Sequence, residues 1–513
     1  MWLHTIKNNI FMLKYALKFA KFNVFQRIIY SIFSVVPSLV NVLLVKALVD
    51  SIIGGCNWQT LLIIVSIGCV ASIATSLINS YIINVGNIIK FQIFIVKQNM
   101  QENLMKKSRN IDMINYDDPK FYDKYTLALN EAENRVVQVM DTCTALISDI
   151  FNIITLVTII SYINPLVLLF SIILMVIDFF VGSKKSKVQY KYREEATKYE
   201  RNKNYLKGIF YNKNYANEIR VNDISNLVIS KFKVVANLFL NLNVKQGKAM
   251  TKYDTTVNSL TWINSAGMMF YLGTMALLKK ISIGDFSAMF NAAQQLTHNL
   301  LNFVNQFPVF YQHSLFIDNF KEILNYNSVI ENDDREKLPT ESFNKIKFDN
   351  VSFAYATSEG KVLQNVNMEI NKGDKIAIVG INGAGKTTLI KLLLRLYDPV
   401  EGQVLIDGVP INQYSTNDYR KLFGSVMQES LIYALSFSNN VLLRDVDSNQ
   451  DAERIFNALT FAGIDYKVTN AATSLDTPLS KEFDTNGIVL SGGEKQKIAI
   501  ARAYIKNAPL LVL

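Results

Sequence analysis

Six stretches of this chain stay apolar long enough to cross a bilayer, and a segment in hydrocarbon has few structural options. They are residues 24–49, 60–85, 143–163, 165–182, 256–278 and 286–307, the last two less apolar than the others. With no water to satisfy backbone N–H and C=O groups, such segments become helices that bond internally. Composition agrees: half of the residues are apolar and 19% are charged, below the roughly one quarter usual in soluble domains. The formal net charge of +10 raises nucleic acid as a partner. It is rejected, because Lys and Arg lie in loops flanking the apolar runs rather than on one basic face. The three cysteines (Cys56, Cys69 and Cys143) show no metal-ligand spacing and are expected to be small buried residues. His4, His298 and His313 are too scattered for a metal site.

Orientation follows from the loops. Segments 86–142 and 183–255 carry 8 and 16 Lys plus Arg, whereas 51–59 carries none and 279–285 carries two. Basic loops stay in the cytoplasm, so both termini and both long loops are expected there, in a cell membrane that the chain crosses six times. The two long loops have helix-like composition with few Gly or Pro. Either the spans continue past the membrane as helical rods, with tips at 116–124 and 211–221, or these are ordinary loops. The sequence leaves both open. Residues 1–23 carry an apolar stripe (Leu3, Ile6, Ile10, Leu13, Leu17, Ala20) with Lys7, Lys14, Lys18 and Lys21 off that line. This pattern predicts an amphipathic helix on the membrane surface, its lysines near lipid headgroups.

Within the membrane region, expected over 24–319, the final span carries Asn291, Gln294, His298, Asn302 and Asn305 at spacings of three and four. One helical face therefore gathers the polar groups. It either lines a substrate path or packs against a neighbouring span. Asp178 lies near the cytoplasmic end of its span, and an interfacial position is expected for it. Residues 320–343 are polar and charged and predict a linker. From 344 to 513, short β-branched runs alternate with helical segments, which predicts an α/β domain.

The strongest chemical signal is GINGAGKT at 380–387, which fits G-x-x-x-x-G-K-[ST]. A strand over 375–379 and a helix over 388–397 are expected to flank it. The backbone N–H groups of Gly380, Ile381, Asn382, Gly383, Ala384 and Gly385 would then cradle phosphate at a helix N-terminus. Lys386 would reach the β- and γ-phosphates, the Thr387 hydroxyl would ligate Mg²⁺, and Thr388 would sit in the first turn. About 105 residues on, LSGGEKQ at 490–496 places Ser491, Gly492 and Gly493 before another helix.

This phosphate loop, the S-G-G motif and the membrane half upstream together resemble the ATP-binding cassette (ABC) exporter family over nearly the whole chain. The resemblance implies a six-span helical membrane domain followed by an α/β P-loop nucleotide-binding domain, working as one half of a dimer, homo- or heterodimeric, that exports a substrate using ATP and Mg²⁺. It implies that Tyr355, in VSFAY, stacks on adenine. Gln428, in VMQES, would sense the γ-phosphate and share Mg²⁺ with Thr387. Ser491, Gly492 and Gly493 would contact ATP held by the partner. The segments 116–124 and 211–221 resemble coupling helices, and DDPKFYDK at 117–124 loosely resembles the first cytoplasmic loop of peptide exporters. A peptide and an amphiphile both remain open as substrate. LSGGE replaces the commoner LSGGQ. Residues 510–513 resemble the strand that in the family precedes the Walker B Asp and Glu and a later switch His, so no catalytic carboxylate falls within the sequence. The expectation is an incomplete cassette with nucleotide-binding residues only. The alternative is a non-hydrolysing partner or regulatory subunit.

Overall fold

Long helices build the first part of the molecule. The structure, a computed structural model, describes residues 2–331, 335–338, 342–356, 358, 360–428, 430–468 and 474–513. The chain divides into two units, Met1–Asn103 with Leu127–Glu322, and Leu104–Thr126 with Ile323–Leu513.

Among the described residues, five helical stretches are long and apolar enough to cross a membrane: Lys21–Ile53, Trp58–Ser108, Asn134–Ile163, Val167–Tyr211 and Ser225–Leu277. The sixth expected span, 286–307, lies in the continuous helix Ile283–Leu324. Its Asn, Gln and His residues keep it out of that set. Along Trp58–Ile88 the buried residues are Gly68 and Gly86, while Ile63, Ile67, Val70, Ile73 and Leu77 face outward. A soluble protein turns such side chains inward, so this surface is suited to lipid. The interior of the unit is a cluster of Val42, Leu156, Ile160, Met268, Leu272, Met289 and Leu296 with Ala288, Ala292 and Ala293. The three alanines lie on one face of Ile283–Leu324 and let neighbouring helices approach closely.

Of the two possibilities for the long loops, the structure shows rods. Pro119–Ile163 and Val167–Tyr211 are 45 residues each and Ser225–Leu277 is 53. At 1.5 Å per residue each exceeds about 65 Å, roughly twice the hydrocarbon thickness. The tips hold short helices, Met113–Asp117 and Ala216–Val221.

The N-terminal segment is a helix over Trp2–Phe19, followed by a second from Lys21. It buries its polar face: Thr5, Asn8 and Asn9, with Met12 and Ala16. Asn8 donates to Ser314 Oγ at 2.8 Å and to Asp318 at 2.6 Å. Of the expected apolar stripe, Leu3, Ile6, Ile10 and Leu17 point away from the protein, as a helix lying on a membrane requires, whereas Leu13 is half-buried and Ala20 is buried.

Several expectations need correction. The cysteines are not buried: Cys69 is exposed on the outward-facing side of Trp58–Ile88, Cys56 is half-buried in the turn before that helix, and Cys143 is half-buried. Asp178, expected near the membrane interface, is buried within the protein and accepts from Asn305 at 3.5 Å. Residues 320–324 are helical, since Ile283–Leu324 runs on past its internal Pro308. The linker therefore begins later, and its residues 332–334 and 339–341 lie outside the described set.

The second unit holds a four-stranded antiparallel sheet made of β1 (Lys345–Phe353), β2 (Leu363–Asn371), β3 (Glu401–Ile406) and β4 (Val409–Pro410), ordered β2-β1-β3-β4. A parallel pair joins β5 (Phe423–Ser425) to β6 (Leu510–Val512). Phe348, Val351, Phe353, Leu392, Tyr397 and Tyr419 fill the core between. Arg395 is fully buried there, its Nη1 donating to the carbonyls of Ile411 and Tyr414, both at 2.9 Å. A separate helical lobe packs Phe437, Ile455, Leu459, Leu490, Ile498 and Ala501.

The strand expected at 375–379 is not a strand of either sheet. Those residues are exposed, Val379 at 87%, because no described strand runs alongside to form a ladder. The helix expected over 388–397 is Lys386–Leu393.

Candidate nucleotide site

Two glycines set the shape of the phosphate loop. Gly383 and Gly385 have φ of +85° and +86°, a left-handed conformation that disfavours any side chain. At Gly385 a Cβ would also lie 2.7 Å from Leu363 Cδ2. The chain then enters the helix Lys386–Leu393, with Leu389 N donating to Gly385 O at 2.9 Å. The first N–H groups of a helix have no acceptor within it. Here they open onto the exposed loop of Ile381, Asn382, Gly383 and Ala384. Lys386 Nζ donates to the carbonyls of Gly380 and Ile381, both at 2.8 Å. The ammonium is thereby held over the loop, where an incoming phosphate can take it from two neutral carbonyls.

Thr387 is exposed at the start of this helix and Thr388 is buried. The Thr388 hydroxyl meets Tyr355 Oη at 3.1 Å, and Lys391 Nζ reaches the same phenol at 3.4 Å. The structure thus joins two of the sequence-predicted residues, Tyr355 and Thr388, although through the threonine side chain. The Tyr355 ring packs edge-on against Phe353 and Tyr397, with centroids 4.9 and 5.4 Å away. Gln428 is exposed just past β5, and among the described residues no hydrogen bond ties it to the phosphate loop.

Ser491 is the N-cap of the helix Gly492–Lys506. Its Oγ accepts from Glu494 N at 3.3 Å, and Glu494 Oε2 accepts from Ser491 N at 2.8 Å. This is a reciprocal capping box. It accounts for the acidic residue in LSGGE, which the sequence had shown only as a departure from the commoner motif. Tyr466 Oη at 2.9 Å and Lys467 Nζ at 3.1 Å also reach Glu494. The Ser491 amide first, aided by Lys467 and Tyr466, pulls the Glu494 carboxyl down to about 2. Gly492 and Gly493 are exposed, with open space where a Cβ would stand.

A third constellation was missed. In the segment Leu104–Thr126, Asp112 takes Tyr326 Oη at 2.7 Å, Val329 N at 2.8 Å, Ile330 N at 3.0 Å, Glu331 N at 3.3 Å and the Ser328 hydroxyl. Burial works against its charge, but bonds from Ser328, Val329, Tyr326 and Ile330 outweigh it and hold the carboxyl below its usual range. Asp117 accepts from Tyr397 Oη at 2.7 Å, and Tyr397 touches the Tyr355 ring. Burial first, then the Asp117 bond and charge, push the Tyr397 phenol well up. The available signal was the acid-rich tip itself, but nothing in the sequence pointed to its partners.

The polar face of Ile283–Leu324 is divided. Gln294 Nε2 donates to Ser265 Oγ at 2.8 Å and Asn305 bonds Asp178, so both serve packing. Asn291 and His298 are exposed, and Asn302 pairs with His298 at 3.1 Å.

Residues 363–513 match the ABC transporter family. The chain is 25% identical over 411 residues to the subtilin transport ATP-binding protein of Bacillus subtilis, covering 80% of this chain and 66% of that protein. It is 25% identical over 412 residues to the nisin transport ATP-binding protein of Lactococcus lactis subsp. lactis, covering 80% and 68%. The matches thus span about two thirds of those relatives. In fold it is similar to a bacterial Atm1-family ABC exporter solved with ATP bound, at a TM-score of 0.79 and 20% identity, over 96% of this chain and 85% of that one. An ABC transporter domain at residues 363–513 thus lies behind a helical, membrane-type region whose fold is similar to that of an ABC exporter.

Proposed function

We propose that the chain is one half of an ATP-driven exporter in a bacterial cell membrane, moving a peptide or an amphiphile outward, with its N-terminus and nucleotide-binding domain in the cytoplasm. The observation that carries this is the phosphate loop at the start of Lys386–Leu393, in the same chain as outward-facing apolar helices. Amides of residues 380–388 would hold the phosphates, and Lys386 would leave its two carbonyls to bind them. Thr387 and Gln428 would hold Mg²⁺, and Tyr355 would face adenine. ATP bound there supplies the free energy of its phosphoanhydride. Ser491, Gly492 and Gly493 would complete the site of a second half-transporter, with Ser491 fixed by its bond to Glu494. Asp112 and Asp117 would tie the segment Leu104–Thr126 to this domain, as a coupling element would. The helix Ile283–Leu324 would be the sixth span, with Asn291, His298 and Asn302 open to the substrate path.

The test uses everted membrane vesicles containing the chain, given either a radiolabelled peptide or a fluorescent amphiphile. ATP-dependent accumulation of either one that Lys386→Ala abolishes is expected. Equal accumulation with and without Lys386 would rule out the proposal.

A further inference from the structure

Three segments converge on a cavity of ≈ 510 Å³ in the first unit. Lys21–Phe33 contributes Asn23, Gln26, Arg27 and Tyr30. Residues 83–93 contribute Ile83, Gly86, Asn87, Lys90 and Ile93. Pro119–Ile163 contributes Asp141, Ala145, Ser148 and Asp149. The first and third sets recur at three and four residues, so each is one side of a helix, and the second straddles the turn between the helices Trp58–Ile88 and Phe91–Ser108. All three lie where the first three spans meet the cytoplasmic side, by the loop-charge orientation. A cavity of this size is in the range that holds small molecules.

Most polar groups there are already engaged. Arg27 pairs with Asp141 and donates to Asn23 Oδ1 at 2.9 Å. Gln26 donates to the Ile82 carbonyl at 2.9 Å, and the Ser148 and Ser34 hydroxyls meet at 2.6 Å. Asp149 differs. It is 8% exposed, and its Oδ2 is buried without a hydrogen-bond partner. It lies eight residues beyond Asp141, about 12 Å deeper along the helix. His298 acts on it only through space, and that ring bonds Asn302 instead. Lys90 is exposed. A buried carboxylate oxygen without a donor is costly, and a cavity leading to it is where a ligand can supply one.

We propose that this cavity binds the ammonium group of an amphiphilic amine, with Asp149 as its counterion and Tyr30, Ile83, Ala145 and Ile93 against the apolar part. The proposal deepens the export reading, on which it rests, by naming a substrate class. An anionic ligand would add a second negative charge beside Asp149, with Arg27 already paired to Asp141, and a neutral one would leave Asp149 unpaired.

The experiment uses the full chain in an uncharged detergent, with Cys56, Cys69 and Cys143 replaced by serine and Ala145→Cys added. The rate of alkylation by a water-soluble maleimide is followed without ATP. Octylammonium should slow it, whereas octanoate and octan-1-ol at the same concentration should not. Asp149→Asn should raise the octylammonium concentration needed by roughly tenfold or more, equivalent to about 1.4 kcal/mol. Asp149→Glu should retain protection and shows that the site tolerates substitution. Equal protection by octanoate or octan-1-ol, undiminished protection in Asp149→Asn, or no alkylation under any condition would overturn the proposal. Because no ATP is used, failure here leaves vesicle export untouched, and failure of export leaves this binding result standing.

Discussion

Replacing Asp112 with Asn tests how the segment Leu104–Thr126 is fixed to the nucleotide-binding domain. The carboxylate accepts five bonds, with Tyr326 and Val329 on Oδ2 and Ser328, Ile330 and Glu331 on Oδ1. Asn keeps one acceptor oxygen and turns the other position into a donor. Tyr326 can rotate its hydroxyl to accept, but Val329 N–H cannot. An orphaned amide costs about 1–3 kcal/mol, and the remaining bonds lose the extra strength that a charged acceptor gives. The sum is about 2–4 kcal/mol of local stability. Since 1.4 kcal/mol is a factor of ten, hydrogen exchange at residues 328–331 should accelerate by about 30-fold or more. The assay is exchange followed by mass spectrometry on the full chain, with the strand Glu401–Ile406 as an internal reference. Exchange at 328–331 within twofold of the unsubstituted chain would refute the anchoring role. The pH dependence has a definite sign. The folded-state value is lowered, so the bracing is complete above the ordinary carboxyl value of about 4 and is lost as pH falls through the lowered value.

Three further outcomes are expected. Tyr397→Phe removes the donor to Asp117 and should loosen Met113–Asp117. In a double-mutant cycle with Asp117→Asn, exchange should show a coupling of about 1 kcal/mol or more, and no coupling would mean that the bond does not form. Ser491→Ala should weaken the first turn of Gly492–Lys506 by about 1 kcal/mol in the same assay, whereas Glu494→Gln should keep the reciprocal cap. With Glu494 held at about 2, that turn should keep its protection above the ordinary glutamate value. It should lose protection as pH falls toward 2, and Glu494→Gln should abolish this acid sensitivity.

Much of the architecture was legible because it depends on patterns a bilayer enforces. Apolar length located five of the six expected spans among the described helices. The exception is Ile283–Leu324, where the same polar residues that suggested a path lower its apolar character. GINGAGKT was readable because φ near +85° at Gly383 and Gly385 leaves few alternatives to glycine. The strand at 375–379 was misread because apolar β-branched composition marks a propensity, while a strand also needs a bonded neighbour. The N-terminal helix showed its apolar stripe clearly. That Asn8 and Asn9 would be its buried contacts was hidden, since the partners Phe310, Ser314 and Asp318 lie 300 residues away. Asp112 and Tyr397 were invisible for the same reason. Each acquires its role from residues remote in sequence, and a single carboxylate or phenol carries no periodic signal.

Photolabelling with 8-azido-ATP tests most directly whether this chain holds ATP where the phosphate loop and Tyr355 place it. Covalent label on the full chain should be recovered on the peptide containing Tyr355 and on neighbours of residues 380–388. Unlabelled MgATP should compete it away, and Lys386→Ala should reduce it by about tenfold or more, as the loss of a charge-assisted phosphate contact requires. Label recovered elsewhere in the chain, or labelling that Lys386→Ala leaves unchanged, would contradict the assignment.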